Sequence, residues 1–228
     1  MRLDLYLVEK GYFKTRQKAK YAILDNCIFL NKKCQNKPSF EVKDNDLIEI
    51  INNKQVYVSR GGYKLEKAIK EFNLDINNKD CLDIGASTGG FTDCLIKNNA
   101  NVVYAIDVGT NQLDESLKNN NKVISKENVN FRYILKENVD NLSFDVITVD
   151  VSFISLEHIF SNAFNLLKDN GLIVCLIKPQ FELFDVSTKT HGYISKAEDH
   201  INAINNVISY DCKDKNGTAP QTESPYSG

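Results

Sequence analysis

The sequence predicts an α/β protein in which helices cover both faces of a mainly parallel sheet, preceded by a small α+β module. Between residues 81 and 178, four apolar runs each end at or beside a charged residue and alternate with stretches of helical periodicity. Residues 1–60 carry shorter, mixed helix and strand patterns. We therefore expect one large domain with a smaller companion in front, which suits a length of 228 residues.

The composition is typical of a soluble globular protein. Hydrophobic residues make up 42% of the chain and charged residues 25%, and no run approaches the roughly 18 apolar residues that a membrane span requires. Charged residues near the N-terminus interrupt any signal-peptide core, so we expect a cytoplasmic protein without a membrane partner. The six cysteines form no Cys-x-x-Cys pair and do not cluster with the three histidines, which predicts neither a metal site nor a disulfide framework.

The net charge of −2 hides a difference between the two parts of the chain. Residues 1–60 contain 12 Lys and Arg against 7 Asp and Glu, a balance of +5, whereas residues 61–228 contain 16 against 23, a balance of −7. A basic front module is what a nucleic-acid partner requires. A charge of this size is also common on solvated surfaces, so both interpretations stay open.

The front module has the pattern of two short helices followed by short strands. The first helix ends at Gly11, and Thr15 is placed to cap a second helix whose basic side chains project together. Strand-like runs cover residues 28–30 and 47–51. Residues 56–58 have the pattern of a further, connecting strand.

This module resembles the alpha-L RNA-binding domain, of the ribosomal-protein-S-four type. The matching motifs are Arg2-Leu3-Asp4, Thr15-Arg16-Gln17-Lys18-Ala19, Ile28-Phe29-Leu30-Asn31 and Asp44-x-Asp46-x-Ile48. The resemblance implies that Arg2, Arg16 and Lys20 contact RNA phosphates, and we group Arg60 with them. The alternative is that these are solubilising charges on a small helical hairpin. We expect the RNA-binding domain over residues 1–52, a linker over 53–60 and the larger domain over 61–228.

A glycine-rich turn between a buried strand and a helix organises the larger domain. Its sequence is Asp83-Ile84-Gly85-Ala86-Ser87-Thr88-Gly89-Gly90-Phe91. Gly85, Gly89 and Gly90 let the backbone turn sharply and approach a ligand closely. The helix that begins near Phe91 offers unpaired backbone N–H groups. Turns of this kind also join strands to helices in proteins that bind nothing there.

A second predicted strand, over residues 102–106, ends at Asp107. Asp107 follows Asp83 by 24 positions, which is the separation that a strand-helix-strand unit produces. In nucleotide-type sites an acid at this position accepts hydrogen bonds from ribose hydroxyls. The alternative is that Asp107 only forms the turn before Gly109.

Two more buried runs extend the same pattern. Residues 144–149 precede Asp150 and residues 172–177 precede Lys178, and the helix between the runs ends in a turn over residues 169–171. Ligands bind outside the carboxyl ends of the strands in open parallel sheets. The charged strand ends therefore predict one site on a single rim of the sheet.

Five motifs resemble, in order, those of the haemolysin A (TlyA) family, whose members are similar to FtsJ-type methyltransferases with a front RNA-binding domain. The motifs are Ser59-Arg60-Gly61-Gly62-Tyr63-Lys64-Leu65, Leu82-Asp83-Ile84-Gly85-Ala86-Ser87-Thr88-Gly89-Gly90-Phe91-Thr92, Asp107-Val108-Gly109, Asp150-Val151-Ser152-Phe153-Ile154-Ser155-Leu156 and Ile177-Lys178-Pro179-Gln180-Phe181-Glu182. The resemblance implies a Rossmann-like, S-adenosyl-L-methionine-dependent methyltransferase that modifies a ribose 2′-hydroxyl of ribosomal RNA, in a cytidine. Family members that act on both ribosomal subunits have a longer N-terminus, so we expect a large-subunit substrate.

The resemblance also assigns the residues of the site. It implies cofactor binding by Asp83, Gly85, Ser87, Thr88, Gly89, Gly90, Phe91 and Asp107, with Asp107 on the ribose of the cofactor. In the family's Lys-Asp-Lys-Glu arrangement, Lys178 receives the proton of the hydroxyl, and Lys64 and Asp150 orient the hydroxyl and Lys178. On the helix pattern alone, Lys64 could equally be a first-turn lysine that points into water.

The implied chemistry makes sense of these residue types. A ribose hydroxyl is a poor nucleophile at neutral pH, so it must be aligned and relieved of its proton. A lysine base must be neutral when it takes that proton, which Lys64 and partial desolvation favour and Asp150 opposes. We therefore expect positioning to contribute much of the rate.

The sequence departs from the family at its far end. In the family the chain continues beyond a Ser-Pro-x-x-Gly segment into Gly-Asn-x-Glu, which supplies the last acid, whereas here Ser224-Pro225-Tyr226-Ser227-Gly228 comes last. We expect that the sequence is incomplete or diverged there, or that activity is reduced. Glu182 is near Lys178 in sequence, but the resemblance does not move the missing role onto it.

Two other functions stay open. A non-catalytic RNA-binding or ribosome-assembly protein would retain the cofactor fold without the activity. The family's name also allows a membrane-active haemolysin, although the sequence contains neither a spanning segment nor a strongly basic amphipathic helix. The basic front module disfavours a small-molecule methyltransferase.

Overall fold

The computed structural model describes residues 1–24, 26–43, 45–50, 56–134, 136–183, 194 and 196–211. The chain divides into two compact units, residues 1–60 and residues 61–228, and each has its own hydrophobic core. Residues 51–55, which include the start of the expected linker, lie outside the described part. The connecting strand predicted at residues 56–58 is wrong, because these residues form bends with the side chain of Tyr57 buried.

The first unit is a pair of helices packed with a small antiparallel sheet. Its elements are α1 (Leu3–Glu9), α2 (Arg16–Leu24), β1 (Ile28–Leu30), β2 (Lys33–Cys34) and β3 (Ile48–Ile50), and the strand order is β2-β1-β3. Thr15 Oγ1 accepts a hydrogen bond from the Lys18 N–H at 3.2 Å, which confirms the predicted cap of the second helix. The core combines apolar residues of both helices and the strands: Leu3, Leu7, Ala19, Ile23, Ile28, Leu30 and Val42.

The second unit confirms the predicted α/β class with a parallel sheet. Its strands are β4 (Asp80–Ile84), β5 (Val102–Ile106), β6 (Val123–Lys126), β7 (Phe144–Val149) and β8 (Leu167–Cys175), in the order β6-β5-β4-β7-β8. Its helices are α3 (Gly61–Glu71), α4 (Gly90–Lys97), α5 (Glu115–Lys118), α6 (Glu157–Leu166), α7 (Pro179–Glu182) and α8 (Ala197–Asp211). The chain goes from β4 outward to β5 and β6 and then returns to β7 on the other side. The strand order therefore reverses at β4, and a crevice at the carboxyl ends of β4 and β7 is the expected ligand site.

One predicted boundary is wrong. The turn expected over residues 169–171 does not end a helix, because α6 ends at Leu166 and these residues belong to β8. The register of β8 against β7 moves from Phe144 opposite Leu167 to Val146 opposite Leu172, so the intervening residues form a bulge. Asn170 has a left-handed backbone there, which explains why a turn-forming sequence occurs inside a strand.

An ion network ties the amino ends of the strands together. Lys168 Nζ lies 2.8 Å from Asp80 Oδ2 and 2.9 Å from Asp145 Oδ2. These residues come at or near the starts of β8, β4 and β7, so the network lies at the opposite end of the sheet from the predicted site. Among the residues with described positions, no helix is long and apolar enough to cross a membrane.

Candidate active site

The glycine-rich turn depends on left-handed backbone conformations. Gly85 has a φ of +81° and Gly89 a φ of +95°, and both values strongly favour glycine. A Cβ on Gly85 would lie 2.8 Å from the backbone oxygen of Asp150, and one on Gly89 would lie 2.3 Å from Leu117 Cδ1. At Gly85 the turn is therefore in direct contact with the segment after β7, and at Gly89 it is in contact with the side chain of Leu117. A side chain at either glycine would force its neighbour to move.

Asp107 connects the glycine-rich turn to the end of β5. Its Oδ2 accepts a hydrogen bond from the Ser87 N–H and its Oδ1 accepts one from the Gly109 N–H, both at 2.7 Å. The Ser87 hydroxyl in turn donates to Gln112 Oε1 at 3.2 Å. A small pocket opens beside these groups, lined by Ala86, Ser87, Ala105, Asp107, Gln112, Leu113, Ser125 and Glu127. The Asp107 carboxylate is only half-buried, and each of its oxygens keeps a lone pair for a further donor.

Asp83 lies inside the protein, away from the open side of the turn. Its Oδ2 accepts a hydrogen bond from the Thr92 hydroxyl at 2.6 Å, and its Oδ1 accepts one from the Thr148 hydroxyl at 3.0 Å. Burial raises the pKa of Asp83 to about 6, although both hydroxyls favour the carboxylate. The carboxylate therefore joins α4 and β7 to β4, and it is separate from the partly exposed acid of Asp107.

The other residues predicted to bind the cofactor differ in how far they are exposed to solvent. Ser87 is exposed and Thr88 is half-buried, with its carbonyl accepting a hydrogen bond from the Asp114 N–H at 3.1 Å. Gly89 and Gly90 are buried at the start of α4, and the ring of Phe91 is buried as well. On the described surface, the side chains that this turn offers to a ligand are those of Ser87 and Thr88.

The structure brings Asp150 and Lys178 together at the rim of the sheet. Lys178 Nζ lies 2.6 Å from Asp150 Oδ1, and it donates to the Val151 carbonyl at 2.7 Å and to the Ser152 hydroxyl at 2.9 Å. The two side chains come from the segments directly after β8 and β7, which are neighbours in the sheet. Because Gly85 contacts the backbone of Asp150, the pair also lies beside the glycine-rich turn.

Lys64 stands apart from this pair. It is exposed in the first turn of α3, and no hydrogen bond or ion pair within the described ranges joins it to Asp150 or Lys178. α3 packs against α4, the helix that follows the glycine-rich turn. The membership of Lys64 in the site stays a prediction.

Sequence reasoning did not give Glu182 or Phe153 a role. Glu182 is buried and accepts hydrogen bonds from the Ser155 hydroxyl at 2.8 Å and the Leu156 N–H at 3.1 Å. Phe153 is 92% exposed and has a φ of +64°, with its ring centre 5.4 Å from that of Phe181. The available signal for Phe153 was its position, because it lies three residues after Asp150 in the connection between β7 and α6.

The predicted RNA-contacting arginines share one buried acid. Asp4 accepts from Arg2 Nε and Nη2, both at 3.0 Å, and from Arg16 Nε at 2.9 Å. The side chain of Asp4 is 2% exposed, whereas those of Arg2 and Arg16 are 45% and 55% exposed. The hydrogen bond from Arg2, followed by that from Arg16, lowers the pKa of Asp4 to about 2. Asp4 therefore fixes two guanidinium groups whose outer N–H groups face solvent.

The other two predicted RNA contacts lie in the same unit. Lys20 is exposed on α2. The guanidinium of Arg60 lies 5.6 Å from the ring centre of Tyr21, also on α2, at a distance suited to a cation–π contact. The ring hydroxyl of Tyr21 accepts a hydrogen bond from Gln17 Nε2 at 3.0 Å.

Both units match models of known protein families. The model of FtsJ-like methyltransferases matches residues 57–228, and the model of the S4 domain matches residues 1–48. The protein named Hemolysin A from Brachyspira hyodysenteriae is 45% identical over all of this chain and 95% of its own length. The 23S rRNA (cytidine-2'-O)-methyltransferase TlyA of Campylobacter jejuni is 38% identical, over 80% of this chain and 76% of that protein. The 16S/23S rRNA (cytidine-2'-O)-methyltransferase TlyA of Mycobacterium tuberculosis is 35% identical, over 80% of this chain and 68% of that protein.

Two solved structures share the architecture. A candidate hemolysin from Streptococcus thermophilus superposes with a TM-score of 0.70 at 37% identity, covering 92% of this chain and 78% of that one. One from Lactococcus lactis gives a TM-score of 0.66 at 45% identity, covering 68% of this chain and 74% of that one. The similarity to known proteins thus extends over the sequence and the fold of both units.

Proposed function

The chain belongs to the FtsJ-like methyltransferase family, and we propose that it transfers the methyl group of S-adenosylmethionine to a ribose 2′-hydroxyl of ribosomal RNA. The observation that carries this proposal is the contact between Lys178 and Asp150 beside the glycine-rich turn. This contact places a side chain that can accept a proton next to a backbone turn that suits a nucleoside cofactor.

The residues around the turn fit S-adenosylmethionine. Gly85 and Gly89 allow the left-handed backbone and close packing that form the turn, and the half-buried Asp107 keeps acceptor capacity for a ribose diol. Val108, which follows Asp107, is exposed and offers an apolar surface for a base. When bound, the cofactor supplies an electrophilic methyl group on a sulfonium. Ser87 and Thr88 complete the polar lining, and Asp83 supports the turn from beneath.

Lys178 and Asp150 prepare the acceptor hydroxyl. We assign Lys178 the role of proton acceptor and Asp150 the role of orienting Lys178, with Lys64 orienting the hydroxyl. The short contact between Lys178 and Asp150, together with the bonds from Lys178 to Val151 and Ser152, supports a lysine held in one position. The proposed reaction requires no metal ion.

The front unit supplies the affinity for RNA. Arg2 and Arg16 present N–H groups outward from a shared buried acid, and Lys20 adds charge on the helix that carries Arg16. Guanidinium groups fixed in this way suit phosphate, because they can donate two parallel hydrogen bonds. We include Arg60 in this surface and assign RNA binding to residues 1–52.

A cytidine of the large subunit is the proposed target. Both rRNA (cytidine-2'-O)-methyltransferase relatives carry 23S rRNA in their names, whereas 16S rRNA is named for the Mycobacterium tuberculosis protein alone of these two. A substrate of this kind places the enzyme in the cytoplasm.

The test is methyl transfer to purified ribosomal subunits. The chain is incubated with large and small subunits that lack 2′-O-methylation and with radiolabelled S-adenosylmethionine, and the modified nucleotide is mapped by primer extension. We expect label in the ribose of one cytidine of the large-subunit RNA. Binding of subunits without transfer would instead support a ribosome-assembly protein, and leakage of liposomes by the purified chain would support a membrane activity.

A further inference from the structure

Side chains from α7 and from the residue just before it hold both ends of the segment that follows β7. This segment, residues 150–156, carries Asp150 and leads into α6, and we call it the catalytic loop. At its start, Lys178 contacts Asp150 and bonds to the next two residues. At its end, the Glu182 carboxylate accepts hydrogen bonds from the Ser155 hydroxyl at 2.8 Å and the Leu156 N–H at 3.1 Å. Lys178 and Glu182 are four residues apart, so one helical turn fixes the whole loop.

The loop contains a conformation that needs such support. Phe153 has a φ of +64°, which is unfavourable for a bulky side chain. Its side chain is 92% exposed, so burial does not repay this strain. The ring lies beside α7, with its centre 5.4 Å from that of Phe181. The conformation therefore persists because the two ends of the loop are fixed.

Glu182 is well placed for a positioning role. The residue is buried, and both carboxylate oxygens accept bonds from the loop. Its own carbonyl accepts a hydrogen bond from Asn206 Nδ2 at 2.8 Å, which anchors α7 to α8. In the described part of the chain, no hydrogen bond or ion pair joins Glu182 to Lys178 or Asp150. Glu182 can thus act on the reaction only through the loop.

We propose that Glu182 is a positioning residue that locks the catalytic loop, so that Asp150 stays aligned with Lys178 and Phe153 stays extended toward the nucleotide. This inference rests on the proposed methyl transfer for its kinetic consequence. Its structural consequence, a loop that is closed at the Ser155 end, is independent of any activity.

The variant Glu182→Gln tests the proposal with little change in shape. Glutamine replaces one acceptor oxygen by an NH2 group, which cannot accept the hydrogen bonds that the loop donates. We expect kcat for methyl transfer to fall roughly 10-fold to 100-fold, as is usual for a misplaced catalytic group. The KM for ribosomal subunits and the Kd for S-adenosylmethionine, measured by calorimetry, should stay within about twofold. Ser155→Ala should shift kcat in the same direction by less, and should add little to Glu182→Gln.

The matched control is Asn162→Ala in α6. Asn162 Nδ2 donates to the carbonyls of Phe131 at 3.1 Å and Arg132 at 2.8 Å, so this variant also loses hydrogen bonds between segments but leaves the loop intact. We expect a comparable fall in Tm without a fall in kcat. Equal losses of kcat in both variants at equal Tm, or a wild-type kcat in Glu182→Gln, would overturn the proposal.

Limited chymotrypsin digestion tests the loop without any methyl transfer. Cleavage after Phe153 should be several-fold faster in Glu182→Gln than in the wild type, whereas Asn162→Ala should cleave at the wild-type rate. If the wild type transfers no methyl group, the proposed function fails while this measurement still decides the positioning. Equal cleavage rates in all three proteins would mean that Glu182 does not hold the loop.

Discussion

The ammonium of Lys178 lies 2.6 Å from the carboxylate of Asp150, and the two side chains are 20% and 23% exposed. In this arrangement Lys178 also donates to the Val151 carbonyl and the Ser152 hydroxyl of the catalytic loop. In the proposed reaction, this fixed geometry determines which hydroxyl meets Lys178.

Removal of the Lys178 amine should stop methyl transfer. We expect Lys178→Ala to lower kcat at least about 100-fold, because a positioned base contributes on this scale, while the Kd for S-adenosylmethionine stays unchanged. Lys70→Ala is the control, since the exposed Lys70 forms a surface ion pair with Glu66 on α3. Normal turnover by Lys178→Ala would remove Lys178 from the mechanism.

Lys64→Ala should lower activity without lowering stability. Lys64 is exposed and makes no ion pair in the described part of the chain, so its loss should leave Tm within about one degree, as for ordinary surface substitutions. We expect kcat to fall at least about tenfold if Lys64 orients the acceptor hydroxyl. Single-turnover kinetics with excess enzyme measure this step. An unchanged rate would mean that Lys64 is a solvated lysine of the first helical turn.

Asp107→Asn should weaken cofactor binding. The carboxylate accepts two N–H bonds and has capacity for a diol, whereas an asparagine amide has a single acceptor oxygen. Loss of hydrogen bonds to a charged acceptor costs about 1.5–3 kcal/mol, so we expect the Kd for S-adenosylmethionine to rise roughly 10-fold to 100-fold. Calorimetry measures this directly. Asp75→Asn is the control on an exposed acid that lies before β4, and equal binding by both variants would contradict the role of Asp107.

The buried Asp83 should make stability depend on pH. Its pKa is raised to about 6 in the folded state against an ordinary value of 3.8, so the folded state binds this proton more tightly than the unfolded state. The associated destabilisation is absent below about pH 4 and is complete above about pH 6. We expect the free energy of unfolding of Asp83→Asn, relative to wild type, to rise by up to about 3 kcal/mol between pH 4 and pH 7. Urea unfolding at several pH values measures the difference, and a constant difference would contradict the raised pKa.

Asp4 should affect RNA binding through its arginines. Asp4→Asn replaces the carboxylate shared by Arg2 and Arg16 with a neutral amide that has one acceptor oxygen, so we expect the Kd for large subunits to rise at least about fivefold. The effect should nearly vanish when Arg2 and Arg16 are already alanine, which a double-mutant cycle by filter binding measures. Asp46→Asn is the control, because Asp46 bonds to Asn31 and to the Lys43 N–H in the same unit. Additive losses of affinity would mean that Asp4 acts only on stability.

The order of the helices and strands, and the charged residues at the carboxyl ends of the strands, could be predicted from the sequence. Apolar runs followed by Asp107, Asp150 and Lys178 predicted parallel strands, and parallel strands place their carboxyl ends on one edge of the sheet. The register between neighbouring strands then brings Asp150 to Lys178. Periodicity and spacing carry this information because they follow from local backbone geometry.

Contacts between distant segments were not predictable in the same way. The hydrogen bond that the Leu156 N–H donates to Glu182 spans 26 positions, and neither local sequence pattern indicates it. Asp83 resembles Asp107 as an acid at a strand end, yet two threonine hydroxyls enclose Asp83 while backbone N–H groups and solvent surround Asp107. Which of the two acids faces solvent depends on tertiary packing, and local sequence patterns do not reveal that packing.

A Cβ on Gly85 would come within 2.8 Å of the backbone oxygen of Asp150, so the glycine-rich turn and the catalytic loop pack main chain against main chain. This contact fixes the spacing of the two loops. The proposed contacts with RNA, by contrast, use exposed side chains such as Phe153 and the arginines of the front unit. Under the proposed function, substrate range can therefore drift by surface substitution while the spacing of the two loops stays constant.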